Sequence, residues 1–306
     1  MANSVEIRNL TKRIGGKTIV DHLTFDIPQG EVFGLLGPNG AGKTTTIRML
    51  VGLIAMTDGQ VLIHGLDVTR NYEQAIRQVG AIVENPEMYK YLSGYENLVL
   101  YARMVKGIDK TRIDEVVQFV GLENSIHAKV KTYSLGMRQR LGLAQALLHK
   151  PSVLILDEPT NGLDPAGIRE LRDHLRRLAK DEGVSVIVSS HLLSEMELMC
   201  DRVAIIQHGK LVSVERIDTM VSGDEVEQKV VFVVGNSEQG RSIMSNSPHV
   251  KQVQVVDSRI EIITAREHIP AINQQLVEAG VEVFEIRALT RSLEDTFLEM
   301  TGGANP

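Results

Sequence analysis

One segment near the N-terminus reads Gly37-Pro38-Asn39-Gly40-Ala41-Gly42-Lys43-Thr44, which is the spacing G-x-x-x-x-G-K-[ST]. The apolar run 31–36 before it predicts a buried strand, and residues 44–53 after it have helical spacing. Glycines let backbone N–H groups turn towards phosphate oxygens, and the helix N-terminus adds positive potential. Lys43 is suited to lie between the β- and γ-phosphates, and the Thr44 hydroxyl to ligate Mg²⁺. The segment therefore predicts a P-loop that binds a nucleoside triphosphate.

Two acidic residues stand at the end of a second apolar run. Residues 153–156 predict another buried strand, and Asp157 and Glu158 follow it directly. Carboxyl ends of parallel strands meet at the crevice where a phosphate loop also opens. At that place Asp157 is suited to hold Mg²⁺, and Glu158 to polarise the water that attacks the γ-phosphate.

Hydrophobic periodicity predicts an α/β part in the first two thirds of the chain. Predicted strands alternate with helices such as 44–53 and 167–180, which indicates a mostly parallel sheet. These strands lie at 4–10, 19–27, 31–36, 60–63, 78–83, 153–156 and 184–189. Helical spacing at 95–105, 112–120 and 137–149 predicts an inserted helical subdomain over about residues 86–150.

Past about Asp218 the predicted order of elements is strand, helix, strand, strand, helix, strand. The elements lie at 229–234, 238–245, 252–256, 259–264, 267–278 and 281–286, with a last short helix at 293–300. This βαββαβ order is typical of ferredoxin-like domains. We therefore predict a nucleotide-binding domain over residues 1–217 and an accessory α+β domain over residues 218–306.

Composition and charge exclude several classes of protein. The 306 residues include 33 Lys and Arg against 39 Asp and Glu, a net charge of −6, which argues against a non-specific nucleic-acid binder. The single cysteine, Cys200, excludes an internal disulfide and a cysteine-cluster metal site. No apolar stretch reaches the ~18 residues of a membrane span, and the N-terminus lacks the apolar core of a signal peptide. The composition predicts a soluble, cytosolic protein.

Three further segments resemble one family of nucleotide hydrolases. The run Tyr133-Ser134-Leu135-Gly136-Met137-Arg138-Gln139-Arg140 resembles the signature motif, usually LSGGQ, of ATP-binding-cassette (ABC) ATPases. Ser134 and Gly136 are retained, whereas Leu135 and Met137 depart from that pattern. The run Asn161-Gly162-Leu163-Asp164 resembles the D-loop of the family, and His191 in Ser189-Ser190-His191 its switch histidine. The order of the motifs is similar to that family over roughly residues 4–215.

The resemblance implies an ABC ATPase core with an inserted helical subdomain, which works as a head-to-tail dimer with two ATP molecules between the copies. In that arrangement Ser134 and Gly136 would close over the γ-phosphate of the partner, Asp164 would link the two sites, and His191 would contact the γ-phosphate. The catalytic residues predicted are Lys43, Glu158 and His191. The predicted nucleotide contacts are Gly37, Pro38, Asn39, Gly40, Ala41, Gly42, Lys43, Thr44 and Thr45, with Ile14, Ser134, Gly136 and Asp164. The predicted ligands of Mg²⁺ are Thr44, Asp157 and Glu84.

Two departures narrow the resemblance. The family usually has an aromatic residue near position 14 that stacks on adenine, and this chain has Ile14. Loss of that stacking costs on the order of 1 kcal/mol. Glu84 stands where the family normally has Gln, and a carboxylate there remains a good ligand for Mg²⁺. The Glu84 change, together with Tyr89 and residues 94–98, resembles bacitracin- and lantibiotic-type exporter ATPases.

The resemblance also implies a membrane partner. Because the chain has no span of its own, a separate permease is implied, with the chain on the cytoplasmic face of the membrane. The groove that receives a permease helix could be formed by Met88, Tyr89 and Tyr91. Packing in the hydrophobic core is an equally good explanation of these three residues. The expected function is ATP hydrolysis that drives export of an antimicrobial peptide or drug. No nucleic-acid partner is expected.

Other functions stay open at this point. A soluble ABC-type ATPase that acts on nucleic acid or ribosomes is the alternative, weakened by the single cassette and the lack of a basic tail. A GTPase is weaker because the sequence has no N-K-x-D motif. A non-hydrolysing regulatory module would need the catalytic acid to be missing, and Glu158 is present.

Overall fold

The computed structural model describes residues 2–84, 86–222, 228–256 and 259–289. Contacts between residues divide the chain into two compact units, one up to Arg216 and one from Ile217 onward. This division lies one residue from the predicted boundary, and the assignment of the two parts as a nucleotide-binding domain and an accessory domain stays a prediction. Among the described residues, no helix is both long and apolar enough to cross a membrane.

Strands and helices of the first unit alternate along most of its length. Its strands are β1 (Asn3–Ile14), β2 (Lys17–Pro28), β3 (Val32–Leu36), β4 (Asp58–Ile63), β5 (Leu66–Asp67), β6 (Val79–Ile82), β7 (Val153–Asp157), β8 (Ser185–Ser190), β9 (Arg202–Gln207) and β10 (Lys210–Arg216). Its helices are α1 (Lys43–Leu50), α2 (Tyr72–Ile76), α3 (Gly94–Ala102), α4 (Lys110–Phe119), α5 (Leu135–Leu147), α6 (Pro165–Glu182) and α7 (Leu193–Met199).

These strands form two sheets. The larger sheet has the order β10-β9-β3-β8-β7-β6, and all its strand pairs are parallel except β9 with β10. The smaller, antiparallel sheet has the order β2-β1-β4-β5. The mostly parallel sheet expected from the sequence therefore does not include β1, β2 and β4. Strands β1 and β2 pair with each other because the two-residue turn Gly15–Gly16, with both φ angles positive, joins them as a hairpin, and β4 pairs with the other edge of β1.

The hydrophobic core of the first unit lies between the two sheets and α1. Phe25 of β2 stacks on Phe33 of β3 with 5.7 Å between ring centroids, so the smaller sheet packs on the larger one. Ile47 and Leu50 of α1 are fully buried in the same cluster. The packing fixes the start of α1, and with it the predicted phosphate loop, at the carboxyl end of β3.

The predicted helical insertion lies between β6 and β7 and consists of α3, α4 and α5. Helix α3 begins with a capping box, in which Ser93 accepts from the Glu96 amide and the Glu96 carboxylate accepts from the Ser93 amide. A 3₁₀ turn at Val130–Thr132 leads into α5. Among the observed elements of the first unit, α2, α7, β5, β9 and β10 were not predicted from the sequence.

The second unit has the predicted βαββαβ order. Helix α8 (Ile217–Ser222) precedes β11 (Gln228–Val234), α9 (Ser237–Ser245), β12 (Gln252–Val256), β13 (Arg259–Thr264), α10 (Ile269–Glu278) and β14 (Val283–Leu289). The strands form an antiparallel sheet of order β12-β13-β11-β14, the arrangement of a ferredoxin-like domain. The predicted helix 267–278 starts as a 3₁₀ turn at Arg266–His268, and α10 has Pro270 in its first turn. The predicted helix at 293–300 lies outside the described residues.

Candidate functional site

The predicted phosphate loop connects β3 to α1 and closes against the rest of the first unit. Gly42 is the N-cap of α1 with φ 105°, a backbone conformation that side chains rarely adopt, and a Cβ there would lie 2.9 Å from the Ile19 carbonyl oxygen. A Cβ on Gly37 would lie 2.1 Å from the Ile206 carbonyl oxygen. Both positions therefore require glycine. Within the loop, Pro38 is half-buried and Asn39 and Gly40 are exposed.

Lys43 points back into this loop. Its Nζ donates to the Gly37 carbonyl oxygen at 2.7 Å and to the Pro38 carbonyl oxygen at 3.4 Å. It also lies 3.4 Å from Oε1 of Glu158, and the lysine side chain is 5% exposed. The structure thus joins the predicted phosphate-binding lysine to the predicted catalytic acid.

The Thr44 hydroxyl and the Asp157 carboxylate meet across the site. Thr44 Oγ1 donates to Asp157 Oδ1 at 3.2 Å, and Ser189 Oγ donates to the same oxygen at 2.6 Å. Asp157 is the last residue of β7 and pairs in register with Ser189 of β8, which places both at the carboxyl edge of the sheet. Ser189 was not among the predicted site residues. Its signal in the sequence is a hydroxyl side chain at the end of an apolar parallel strand.

Glu158 is held in a strained backbone conformation, with φ 47°. Its backbone N–H donates to Ser189 Oγ at 2.9 Å. The Glu158 carboxylate is 18% exposed, and its Oε2 lies 2.9 Å from His191 Nδ1, while Oε1 faces Lys43. The structure therefore brings the three predicted catalytic residues, Lys43, Glu158 and His191, into one connected group.

Thr44 and Asp157 fit a magnesium ion, since both offer hard oxygen donors that converge. Mg²⁺ usually takes one or two carboxylate ligands together with waters and substrate phosphates. Glu84, the third predicted ligand, has φ 67° and pairs with the guanidinium of Arg48 instead. No group of three or more His, Cys, Asp or Glu side chains suited to a metal occurs in the part of the chain that the structure describes. The donor set is therefore a partial one, which substrate phosphates would complete.

Ser134, Gly136 and Asp164 lie together at the starts of two helices. Ser134 caps α5 by accepting from the Met137 amide at 3.2 Å, and Asp164 caps α6 by accepting from the Gly167 amide at 2.8 Å. A Cβ on Gly136 would contact Leu163 at 3.7 Å, so the signature segment and the D-loop segment touch. Ser134 and Asp164 are both exposed. Helix N-termini that open to solvent are suited to an external anion.

Tyr133 fixes the start of this signature segment. Its hydroxyl donates to the Ser125 carbonyl oxygen at 2.7 Å, and the residue is 3% exposed. Burial raises the pKa of the Tyr133 hydroxyl, which therefore stays protonated and remains a donor.

The remaining predicted contacts lie around the loop. Ile14, the last residue of β1, is 53% exposed and pairs with Lys17 across the Gly15–Gly16 turn. Thr45 is half-buried in the first turn of α1, and Ala41 is buried. The exposed Ile14 side chain offers an apolar surface but no aromatic ring for a base.

Comparison with known proteins identifies the family. A family model described as "ABC transporter" matches residues 20–161. The uncharacterized ABC transporter ATP-binding protein YhcH of Bacillus subtilis is 55% identical over 303 residues, covering 99% of this chain and 97% of that protein. The bacitracin transport ATP-binding protein BcrA of Bacillus licheniformis is 40% identical and covers 99% of both chains.

Two further similarities cover a shorter part of the chain. The lantibiotic transport ATP-binding protein SrtF of Streptococcus pyogenes is 42% identical over 214 residues, which is 70% of this chain and 91% of that protein. A solved structure of an ATP-binding subunit of an ABC transporter is 30% identical, with a TM-score of 0.63, and covers 71% of this chain and 91% of its own. The predicted resemblance to the bacitracin and lantibiotic group is thereby confirmed. The phosphate loop, the acidic strand end and the histidine come together in a chain that matches such proteins over 99% of its length. The chain therefore belongs to the ABC transporter family and is an ATP-hydrolysing, ATP-binding subunit of that family.

Proposed function

We propose that this chain hydrolyses Mg²⁺·ATP at the group formed by Lys43, Glu158 and His191, and that hydrolysis drives export through a separate permease. The observation that supports the site most directly is the Glu158 carboxylate, 3.4 Å from Lys43 and 2.9 Å from His191. This carboxylate directly follows Asp157, whose own carboxylate faces Thr44. The site therefore combines a general base, two side chains that contact this base, and a pair of side chains suited to a metal ion.

The roles of these residues follow from their chemistry. The loop amides and Lys43 bind the phosphate oxygens, with Thr45 and Ile14 as further nucleotide contacts. Glu158 accepts the proton of a water whose oxygen attacks the γ-phosphorus, the bond to the bridging oxygen breaks, and ADP leaves. His191 contacts the γ-phosphate, and its Nδ1 faces the Glu158 carboxylate. When Mg²⁺ is held by Thr44 and Asp157, with or without Glu84, it neutralises phosphate charge.

We further propose that a second copy of the chain completes the site. Ser134 and Gly136 lie at the N-terminus of α5, and exposed Asp164 lies at the N-terminus of α6. Ser134 and Asp164 cap helices whose N-termini open to solvent, which supports a role in binding the γ-phosphate held by the partner. Loss of that phosphate would remove the charge that both copies share and open the dimer.

The surface around Tyr89 supports contact with a permease. Tyr89 and Tyr91 meet edge to face at 5.9 Å and are 47% and 67% exposed. Exposed aromatic and apolar side chains of this kind mark interaction sites. Met88 is 8% exposed and belongs to the core, so the proposed surface consists of Tyr89 and Tyr91 without it.

The proposed cargo is an antimicrobial peptide or a similar drug. BcrA, a bacitracin transport protein by name, matches this chain over 99% of its length, the second unit included. The similarity to a transport protein also supports a place for this chain beside a permease on the cytoplasmic face of the membrane. The proposed function involves no nucleic acid.

The test purifies the tagged chain from detergent-solubilised membranes of cells that produce it. We expect a membrane protein to co-purify with the chain, and the complex to hydrolyse ATP only with Mg²⁺. Lys43→Ala should abolish tight ATP binding, and Glu158→Gln should lower kcat at least about 100-fold while ATP binding and dimerisation persist. Glu123→Gln, at an exposed acid between α4 and the 3₁₀ turn, serves as the control. Normal turnover by Glu158→Gln would contradict the assigned site, and recovery with ribosomes or DNA would contradict transport.

A further inference from the structure

A carboxylate on α7 joins two segments of the proposed catalytic site. Oε2 of Glu195 accepts from Thr160 Oγ1 at 2.7 Å and from Ser190 Oγ at 2.7 Å. Thr160 is 3% exposed and Ser190 is fully buried, so water does not compete for either hydroxyl. One oxygen atom therefore ties two buried hydroxyl groups from different parts of the chain to each other.

The two hydroxyl groups belong to segments that carry reacting side chains. Thr160 lies two residues after Glu158 and leads to Asp164, whereas Ser190 directly precedes His191. The Ser190 hydroxyl also accepts from the Leu192 amide at 3.0 Å, which fixes the backbone on the other side of His191. A shift of Glu195 would move both segments at once.

Glu158 needs such support because its φ of 47° is costly for a residue with a side chain. Its N–H is held on one side by Ser189 Oγ at 2.9 Å. On the other side, the segment is held at Thr160 by Glu195. Strained conformations persist only where the surrounding structure over-determines them.

We propose that Glu195 is a positioning residue for ATP hydrolysis. It keeps Glu158 and His191 in contact by holding Thr160 and Ser190, and it acts through these residues and not on the nucleotide itself. The inference rests on the proposed function of Glu158. A carboxylate suits this role because a charged acceptor makes hydrogen bonds roughly twice as strong as a neutral one.

The test measures steady-state ATP hydrolysis and ATP binding by the full chain. Glu195→Ala is expected to lower kcat about 10- to 100-fold, since small misplacements of reacting groups cost that much. KM for ATP, and the ATP affinity measured in the non-hydrolysing Glu158→Gln background, should stay within about twofold of the values with Glu195 present. The reason is that Glu195 is not proposed to contact the bound ATP. Glu195→Gln keeps an acceptor oxygen of the same shape and should recover kcat to within about fivefold of the native chain. Glu197→Ala, an acid on the same helix, is the matched control.

Removal of the two donors gives a second, independent test. Thr160→Val with Ser190→Ala should lower kcat as Glu195→Ala does, and adding Glu195→Ala to that pair should cost little more. Unchanged kcat in Glu195→Ala would overturn the proposal, as would equal losses of kcat, ATP affinity and melting temperature that Glu195→Gln does not relieve. Normal ATP hydrolysis by Glu158→Gln would contradict the proposed function and, with it, this inference. If Glu158→Gln lowers kcat but Glu195→Ala does not, only this inference is contradicted.

Discussion

Glu84 shows how a single side chain can have its chemistry redirected by a neighbour. The sequence places a carboxylate where a metal ligand is expected, and the structure pairs it with Arg48 on α1, the helix that begins at Lys43. The Glu84 side chain is 61% exposed, so the ion pair is worth at most about 1 kcal/mol. Release of Glu84 towards a metal would therefore cost little.

Glu84→Gln is expected to retain ATP hydrolysis within about threefold, because an amide oxygen can also ligate Mg²⁺ and the lost ion pair is exposed. The measurement is the ATP hydrolysis rate as a function of Mg²⁺ concentration. Glu87→Gln, a nearby exposed carboxylate, is the control. A loss greater than about tenfold, relieved by excess Mg²⁺, would mean that the negative charge is needed for metal binding.

Cys200 is the one cysteine of the chain, and its surroundings make it unreactive. It is 4% exposed and lies against Met196, with 3.4 Å between the sulfur atoms. Burial raises the pKa of the Cys200 thiol, so the folded state disfavours the thiolate. Since the folded state keeps the proton, this stabilising effect is present below the ordinary thiol pKa and is lost as pH rises above it.

A thiol-reactive dye should therefore label the native chain at least about 1,000-fold more slowly than the chain in denaturant, at the rate at which the first unit opens. The dye absorbance reports labelling directly. Cys200→Ser identifies the background. Fast stoichiometric labelling of the folded chain would show that this part of the first unit opens readily.

At the scale of elements, a half-buried histidine just after the end of α5 links the insertion to the sheet. His149 Nε2 lies 3.0 Å from the carbonyl oxygen of Val79 in β6. Burial lowers the pKa of His149, with a smaller lowering by Arg112, although the hydrogen bond to Val79 acts in the opposite direction. Burial likewise lowers the pKa of His174 on α6.

These shifts predict acid sensitivity. The folded state binds fewer protons than the unfolded state, so stability is full above the ordinary histidine pKa of about 6.5 and falls as pH drops through it. The melting temperature should decrease between about pH 7.5 and 5.5, and His149→Gln should reduce that decrease. His127→Gln, at an exposed position, is the control. An unchanged pH dependence in His149→Gln would assign the effect to other groups.

The elements that carry the site could be predicted because local patterns specify them. The apolar runs of β3 and β7, the glycine loop and the two acids each depend on neighbours in the chain. The separate pairing of β1, β2 and β4 could not be read this way, because strand partners are set by tertiary contacts. The Arg48 pairing of Glu84 and the Ser189 hydrogen bonds join residues 31 or more positions apart, beyond any local pattern.

At the scale of the whole molecule, the two units have separate cores. The first core contains buried residues from Val5 to Ile206, and the second contains buried residues from Val230 to Val281. Every predicted nucleotide and metal contact lies between Ile14 and His191, in the first unit alone. SrtF matches 214 residues, which are 70% of this chain and 91% of SrtF itself. SrtF is therefore a relative that consists almost entirely of the matched region.

A fragment of residues 1–217 is therefore expected to fold and to bind Mg²⁺·ATP with a Kd within about threefold of the full chain, because every predicted contact of the site lies in the first unit. ATP binds only the folded state and should raise the melting temperature of the fragment, whereas Lys43→Ala in the same fragment should show no such rise. In the full chain, ATP should stabilise the transition of the first unit and leave that of the second unit in place, as calorimetry can resolve. A fragment that is insoluble, or that binds ATP more than about tenfold more weakly, would mean that residues 218–306 support the nucleotide site.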